Sequence, residues 1–297
     1  MRAGRGPMLS PPMKPAPFHY HAPKTVEEAL TTLGRVAPDD GRVLAGGQSL
    51  VPTMAFRLAR PKHLVDINGV MEFARLAVEA DKLCIGACVR HAAFERPAAQ
   101  GPLGDLLAEV VRHIAHKPIR ARGTFCGSIA HADPASEWCL VAATLDAEMV
   151  VRSVRGTRIV AAKNFFDDIM TTALEDGELL AEVWLPVLPR DTRFGFYEFS
   201  RRAGDFAIAM ALATYRLKDS MIVEPRVAVG GVEAFPRRIA EAEAELEGRM
   251  PKSEIFAAAA RAAAKAVAPL DDAINSAEYR RGLVGTVVSR ALQRAAA

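Results

Sequence analysis

The 297-residue sequence is informative first for what it does not contain. No apolar run reaches the length of about 18 residues that a membrane-spanning helix needs, so no span is expected. Neither sign of charge dominates. The chain has 38 Lys and Arg against 35 Asp and Glu, a net charge of +3, which argues against nucleic acid as a partner. Two short basic clusters, "RRAGD" and "EYRRG", read as solvated faces or ligand contacts. There are only four cysteines, Cys84, Cys88, Cys126 and Cys139, and none forms a CxxC pair. Their spacing suits neither a zinc site nor an iron–sulfur site. As buried, reduced thiols they fit a reducing cytoplasm. The opening "MRAGRGPMLSPPMKPAP" is basic but lacks the apolar core of a secretory signal. Residues 1–12 read as a disordered extension, and Met13 competes with Met1 as the start. The patterns GxGxxG and GxxxxGK[ST] are absent, which excludes a Rossmann fingerprint and a Walker A loop. No nucleophile–base pair and no paired acid–base carboxylates stand out, so no catalytic residue is assigned. His113 and His116 lie three apart without an evident carboxylate partner, and no metal site is expected.

Half of the residues are apolar, enough for one large core or two modest ones. "KTVEEALTTLGR" predicts a helix, with Thr25 and Glu28 as a capping box and Gly34 as the C-terminal stop. "RVLAGG", "HLVDI" and "KLCIGACVR" read as strands. "PLGDLLAEVVRHIAH" and "PASEWCLVAATLDA" have helical patterning, the second with Pro134 in its first turn. "EMVVRS" and "TRIVAA" form a strand pair around Arg155-Gly156, and Asp167 and Asp168 begin or cap a short turn. "ELLAEVWLP" is a further strand, ended by Pro186. A second region opens near Pro189 with three antiparallel strands, "FGFYEFSRR", "AIAMALATYRL" and "IVEPRVAVGGV". Two helices, "SEIFAAAARAAAKAVA" and "SAEYRRGLVGTVVSRALQRA", close the chain.

Two glycine-rich stretches lie far apart. The first, "LAGGQSLVP", leaves a strand and carries Gly46, Gly47, Gln48 and Ser49. Alone it is as well explained by a tight turn. The second, "RGTFCGSIAHADPASEW", offers Gly123, Thr124, Gly127 and Ser128. Successive backbone N–H groups in such turns make concave anion sites. Two of them could hold two linked phosphates from opposite sides, with hydroxyls of Ser49, Thr124 and Ser128 adding donors. Asp133 could accept from ribose or ribityl hydroxyls. His131 suits a structural or ligand-contact role.

Together the two stretches resemble the flavin-subunit family of the molybdenum hydroxylases. That family's pattern is roughly AGG-[HQT]-[ST]-L-x-P, followed by R-G-T-x-G-G-[NS]-x-A-x-x-x-P-x-x-[DE]. "KPAPFHYHAP", "RRAGDFAIA" and "SAEYRRGL" extend the similarity over residues 13–295 in order. The resemblance implies an α+β fold: a PCMH/vanillyl-alcohol-oxidase-type FAD-binding domain of two subdomains over residues 13–187. Residues 188–297 would add a three-stranded antiparallel sheet with a helical bundle. It implies non-covalent FAD, with contacts from Leu44, Ala45, Gly46, Gly47, Gln48, Ser49 and Leu50 in the first loop. The second set would be Ile119, Gly123, Thr124, Cys126, Gly127 and Ser128, with Asp133 near the sugar, Leu180 on the adenine and Arg202 near the flavin ring. It further implies an electron-carrying subunit in a dimer of heterotrimers. A small subunit with two [2Fe–2S] clusters would supply electrons from a large molybdenum-cofactor subunit, and quinone, NAD+ or oxygen would receive them. A stand-alone flavin oxidase or reductase, and a non-catalytic flavin-binding assembly protein, are the alternatives. Two departures stand out. The family usually has Gly where Cys126 stands, and its carbon monoxide enzymes commonly have Tyr where Phe206 stands. Cys126 is expected to point into the protein, to be inert, and to offer its backbone N–H to the diphosphate.

Overall fold

The computed structural model describes residues 14–297. The proposed extension 1–12 and the question of Met1 against Met13 lie outside the described residues. The chain opens with strand β1 (His19–His21), helix α1 (Val26–Val36), strand β2 (Gly41–Leu44), helix α2 (Leu50–Ala55) and strand β3 (His63–Asp66). The three strands pair in parallel in the order β1-β3-β2. The Thr25 hydroxyl accepts from Glu28 N at 3.1 Å, as the capping box requires. The Glu28 carboxylate, however, accepts from Lys24 N at 2.7 Å rather than from Thr25. The helix also runs through Gly34, which does not adopt a left-handed conformation, and ends at Val36. Pro38, which has no N–H to extend the ladder, follows in a 3₁₀ turn.

Next come β4 (Leu76–Glu79), β5 (Lys82–Gly86), α3 (Pro102–Val110), α4 (Lys117–Arg120), α5 (Phe125–His131) and α6 (Glu137–Thr144). They are followed by β6 (Glu148–Ser153), β7 (Gly156–Ala161), the short pair β8 (Phe166–Asp168) and β9 (Thr171–Thr172), and β10 (Leu179–Pro186). Strands β4-β5-β10-β6-β7 form one antiparallel sheet with β10 at its centre. The β6–β7 hairpin pairs Ser153 with Gly156, so Val154 and Arg155 make the turn. Helix α6 starts later than its sequence suggests. Its N-cap is Ser136, whose Oγ accepts from Cys139 N at 3.4 Å. Pro134 belongs to the preceding turn, where Asp133 Oδ1 accepts from Ala135 N at 2.8 Å.

The C-terminal part contains β11 (Arg193–Phe199), β12 (Ala209–Lys218), β13 (Met221–Gly230), β14 (Arg237–Arg238), α7 (Ala240–Leu246), α8 (Ser253–Ala266) and α9 (Ala277–Ala296). The three long strands pair antiparallel, and the two-residue β14 joins β13 as a fourth, edge strand. Ala209, Ala211, Ala213 and Tyr215 share one face of β12 and pack with Val284, Val287, Val288, Ala291 and Leu292 of α9 in a second core. Met210 and Leu212, on the opposite face, join Phe196, Ala207 and Ala228 in the first core. The C-terminal sheet is therefore buried on both sides. Gly231 N donates to Pro134 O at 2.8 Å across the seam. Arg238 binds Asp146 at 2.8 Å across the same seam.

Strand β11 lies so close to α9 that a Cβ on Gly195 would stand 2.0 Å from Ala291 O and 2.6 Å from Ala295 N. Both obstacles are helix backbone, which cannot rotate away. Gly195→Ala is expected to cost about 1–3 kcal/mol by overpacking. Urea unfolding checks this, and an unchanged midpoint would contradict the stated packing.

Candidate functional site

The site begins where β2 ends. Leu44 is the last strand residue, Ala45–Ser49 form the turn, and Leu50 opens α2. Gly47 adopts φ +72°, a left-handed conformation that a branched residue resists. Gln48 Nε2 donates to Gly46 O at 3.2 Å, closing the turn on itself. The N–H groups of Gly47, Gln48 and Ser49 donate to no backbone carbonyl among the described residues.

The second stretch is part loop and part helix, which corrects its reading as one continuous glycine loop. Ile119 lies in α4, and its carbonyl accepts from Gly123 N at 2.8 Å. Thr124 is the N-cap of α5; its buried Oγ1 accepts from Gly127 N at 3.0 Å. Cys126, Gly127 and Ser128 are the first turns of that helix. Thr124 O takes the Ser128 N–H at 3.1 Å, while the Cys126 N–H meets no backbone acceptor among the described residues. Cys126 is buried, and its thiol donates to Ile85 O at 3.3 Å. Burial pushes its pKa well above the ordinary thiol value, so the thiol is inert. Its φ is not positive, so replacing the family's glycine adds no backbone strain.

These two segments, about 75 residues apart in sequence, touch directly. A Cβ on Gly46 would lie 2.5 Å from Arg122 O and 2.6 Å from Gly123 Cα. A chain of polar contacts fastens them. The Tyr20 hydroxyl donates to Asp66, and Asp66 accepts from Asn68 N at 2.9 Å. Asn68 Nδ2 donates to Ala45 O at 2.8 Å. Arg90 reaches both sides, donating to Arg122 O at 2.6 Å and to Asn68 Oδ1. Burial alone would raise Asp66, but the donors from Tyr20 and Asn68 outweigh it and hold this carboxylate below its usual range. Under the second segment, His91 N donates to Gly123 O and Phe125 N to Val89 O, both at 3.0 Å. None of Tyr20, Asp66, Asn68, Arg90 or His91 was marked by the sequence. The nearest signal was the Asp-x-Asn-Gly turn pattern after "HLVDI".

The remaining expected residues are spread more widely. Asp133 follows α5, half-buried, with one oxygen held by the Ala135 N–H. Leu180 lies on β10 opposite Val151 and is buried in the first core. Arg202 is exposed in the loop after β11. That loop packs on the residue before α4: a Cβ on Gly204 would stand 2.5 Å from the His116 ring. Phe206, in the same loop, is 76% exposed.

Between the loop cradle and the C-terminal sheet lies an acidic seam that the sequence did not disclose. Glu137 of α6 and the side chain of Glu198 of β11 are buried, and one Glu198 oxygen has no hydrogen-bond partner among the described residues. His113 approaches Glu198 at 3.8 Å, so this histidine does face a carboxylate. Burial pushes Glu198 up to about 7. Burial, then repulsion from Glu198, pushes Glu137 up to about 8.

The chemistry of these groups fits a dinucleotide. Unpaired N–H groups meet the need of phosphate oxygens, and the half-buried Asp133 carboxylate can accept from sugar hydroxyls. Gly46→Ala should therefore push the two segments apart and weaken FAD binding about a hundredfold, or about 2.7 kcal/mol, with the fold retained. Fluorescence titration with FAD measures this, and unchanged affinity would contradict the contact. The seam predicts a pH effect. In the folded chain Glu137 and Glu198 keep protons that unfolded carboxyls have lost. Their contribution is full below the ordinary carboxyl range and is lost as pH rises through about 7 and about 8. Unfolding the flavin-free chain in urea should show Glu198→Gln gaining on wild type between pH 5 and pH 9, a window about the carboxyl shifts. A constant difference would contradict it.

The comparisons agree with this architecture. The family model described as the FAD binding domain in molybdopterin dehydrogenase matches residues 16–188. The CO dehydrogenase flavoprotein C-terminal domain matches residues 194–295. The nicotine 6-hydroxylase medium subunit of Paenarthrobacter nicotinovorans is 38% identical, covering 96% of this chain and 99% of that one. The carbon monoxide dehydrogenase medium chain of Hydrogenophaga pseudoflava is 34% identical, covering 95% of this chain and 98% of the other. The solved carbon monoxide dehydrogenase of that organism superposes with a TM-score of 0.90 at 35% identity over 95% of this chain and 98% of that one. Quinoline 2-oxidoreductase from Pseudomonas putida 86 gives 0.89 at 34%, with the same coverage. No helix of the described residues is long and apolar enough to cross a membrane. The chain belongs to the family of FAD-binding medium subunits of the molybdenum hydroxylases, and is an oxidoreductase subunit.

Proposed function

We propose that this subunit carries electrons between partners: it receives them from [2Fe–2S] clusters of a small subunit and passes them through FAD to quinone, NAD+ or oxygen. The molybdenum cofactor that oxidises the substrate would sit on a large third subunit, and the assembly would be a dimer of heterotrimers. The observation that carries the reading is the direct contact of Gly46 with Arg122 and Gly123, beside N–H groups without backbone partners among the described residues. When bound, FAD supplies the redox chemistry itself. The protein's part is position and electrostatics. Gly47, Gln48 and Ser49 would present N–H groups to one side of the diphosphate, and Cys126 N–H would meet the other. Gly46 keeps a side chain out of the contact, and Gly123 leaves room for the His91 ring. Asp133 would accept from sugar hydroxyls, Leu180 would border the adenine pocket from the core, and Arg202 would face the ring from its exposed loop. No step requires a proton-abstracting side chain of this chain, in keeping with a relay rather than a substrate oxidase.

The test separates the subunit from the complex. The purified chain, loaded with FAD, should be reduced by dithionite but should turn over no carbon monoxide, purine or N-heterocycle substrate. In the assembled heterotrimer, a substrate of the large subunit should bleach the flavin anaerobically. Turnover by the chain alone, or a flavin in the complex that substrate never bleaches, would overturn the proposal.

A further inference from the structure

A buried imidazole stands beneath the meeting point of the two segments. His91 is 4% exposed. Trp138 Nε1 donates to His91 Nδ1 at 2.9 Å. An indole N–H can only donate, so Nδ1 must be unprotonated and the neutral ring carries its hydrogen on Nε2. That Nε2 edge faces Gly123: a Cβ placed on Gly123 would lie 2.5 Å from Nε2 and 2.7 Å from Cδ2. Gly123 in turn bears against Gly46, whose Cβ position is 2.6 Å from Gly123 Cα. Imidazole, Gly123 and Gly46 thus form a column in which a Cβ on either glycine would collide with the next layer. The indole at its base cannot shift. Trp138 is fully buried and packs against Phe125 at 4.7 Å and Phe94 at 5.2 Å between ring centroids. Burial, helped by the nearby Arg120 and Arg90, pushes His91 down to about 4, so the ring stays neutral through the physiological range.

We propose that His91 is a positioning residue for the cofactor: its neutral ring, fixed by Trp138, sets the height of Gly123 and hence the spacing of the two diphosphate-holding segments. This rests on the reading of those segments as an FAD cradle. Backbone hydrogen bonds from His91 N to Gly123 O and from Phe125 N to Val89 O fix the segment against the Val89–His91 main chain. They leave its displacement toward the core to be limited by whatever fills the space below. A shift beyond about 0.5 Å is enough to loosen a preorganised site.

Three variants distinguish the ring's two edges. His91→Asn places an oxygen where Nδ1 accepts from Trp138 but leaves the space under Gly123 empty. His91→Gln reaches that space with an amide. His91→Ala removes both. FAD and ADP affinities, measured on flavin-free chains whose circular dichroism matches wild type, should fall about thirtyfold in the Ala and Asn variants and stay within about fivefold of wild type in Gln. ADP carries the same diphosphate without the flavin, so its loss should track that of FAD. If Ala binds within about threefold of wild type, or Asn binds as well as wild type, the positioning role is overturned while the cradle stands. If wild type itself binds neither FAD nor ADP, the cradle reading fails instead. Imidazole nitrogen shifts of the folded wild-type chain decide the matter where a variant fails to fold. A bare Nδ1 and a protonated Nε2 between about pH 5 and pH 9 are expected. A ring that titrates in that window, or carries its hydrogen on Nδ1, overturns the proposal.

Discussion

The structure depends on one close contact, the bearing of Gly46 against the Arg122–Gly123 backbone. It joins the end of a parallel three-stranded sheet to the entry of α5, which packs on the central strand of a different sheet. A side chain at Gly46 has no room, because the obstacle it would meet is the Arg122–Gly123 main chain. Arg90 and Asn68 then tie the carbonyls of Arg122 and Ala45 to each other. Charge-assisted bonds of this kind hold geometry as well as energy. The result is a set of N–H groups with no partner among the described residues, which water alone would satisfy less well than an anion.

Much of the remaining architecture serves to keep that contact rigid. The Trp138, Phe125 and Phe94 cluster fills the core beneath it, and α6, which carries Trp138, is covered by the C-terminal sheet. The sheet is not an appended module, because Phe196, Met210 and Leu212 share the first core. Its docking also buries Glu137 and Glu198 near one another, an arrangement that favours their neutral forms. Titratable groups displaced this far from their ordinary values collect at functional sites, and these two meet where α6 faces β11.

The sequence made the local parts of this design legible. Gly46, Gly47 and Gly123 were marked by residue type, because only glycine serves where φ is positive or backbones meet. Strands β5, β6, β7 and β10 followed from their apolar patterns. The direction of Cys126 followed from the small residues kept around it. What spacing could not show was contact between segments distant in the chain. Arg90 and His91 read as ordinary residues of "VRHAAFE", since their importance comes from what folds above them. Glu137 reads as a favourable acid in the first turn of a helix, and only the docking of β11 turns it into a buried carboxyl. Local boundaries slipped where two signals competed. Ser136 outcompeted Pro134 for the start of α6 because its hydroxyl caps Cys139 N. Thr124 turned an apparent loop into a helix start in the same way. Gly34 failed to stop α1 because Pro38 supplied a stronger stop two residues beyond the helix.

Two segments that grip a diphosphate would make the chain select its flavin by phosphate number, and the flavin that it prefers tests this most directly. Calorimetric titration of the flavin-free chain should show FAD binding at least about a hundredfold more tightly than FMN, which has one phosphate, and than riboflavin, which has none. Denaturation of the loaded chain should release all of the FAD unmodified. Equal affinity for FAD and FMN, or flavin that stays bonded to the polypeptide, would contradict the account.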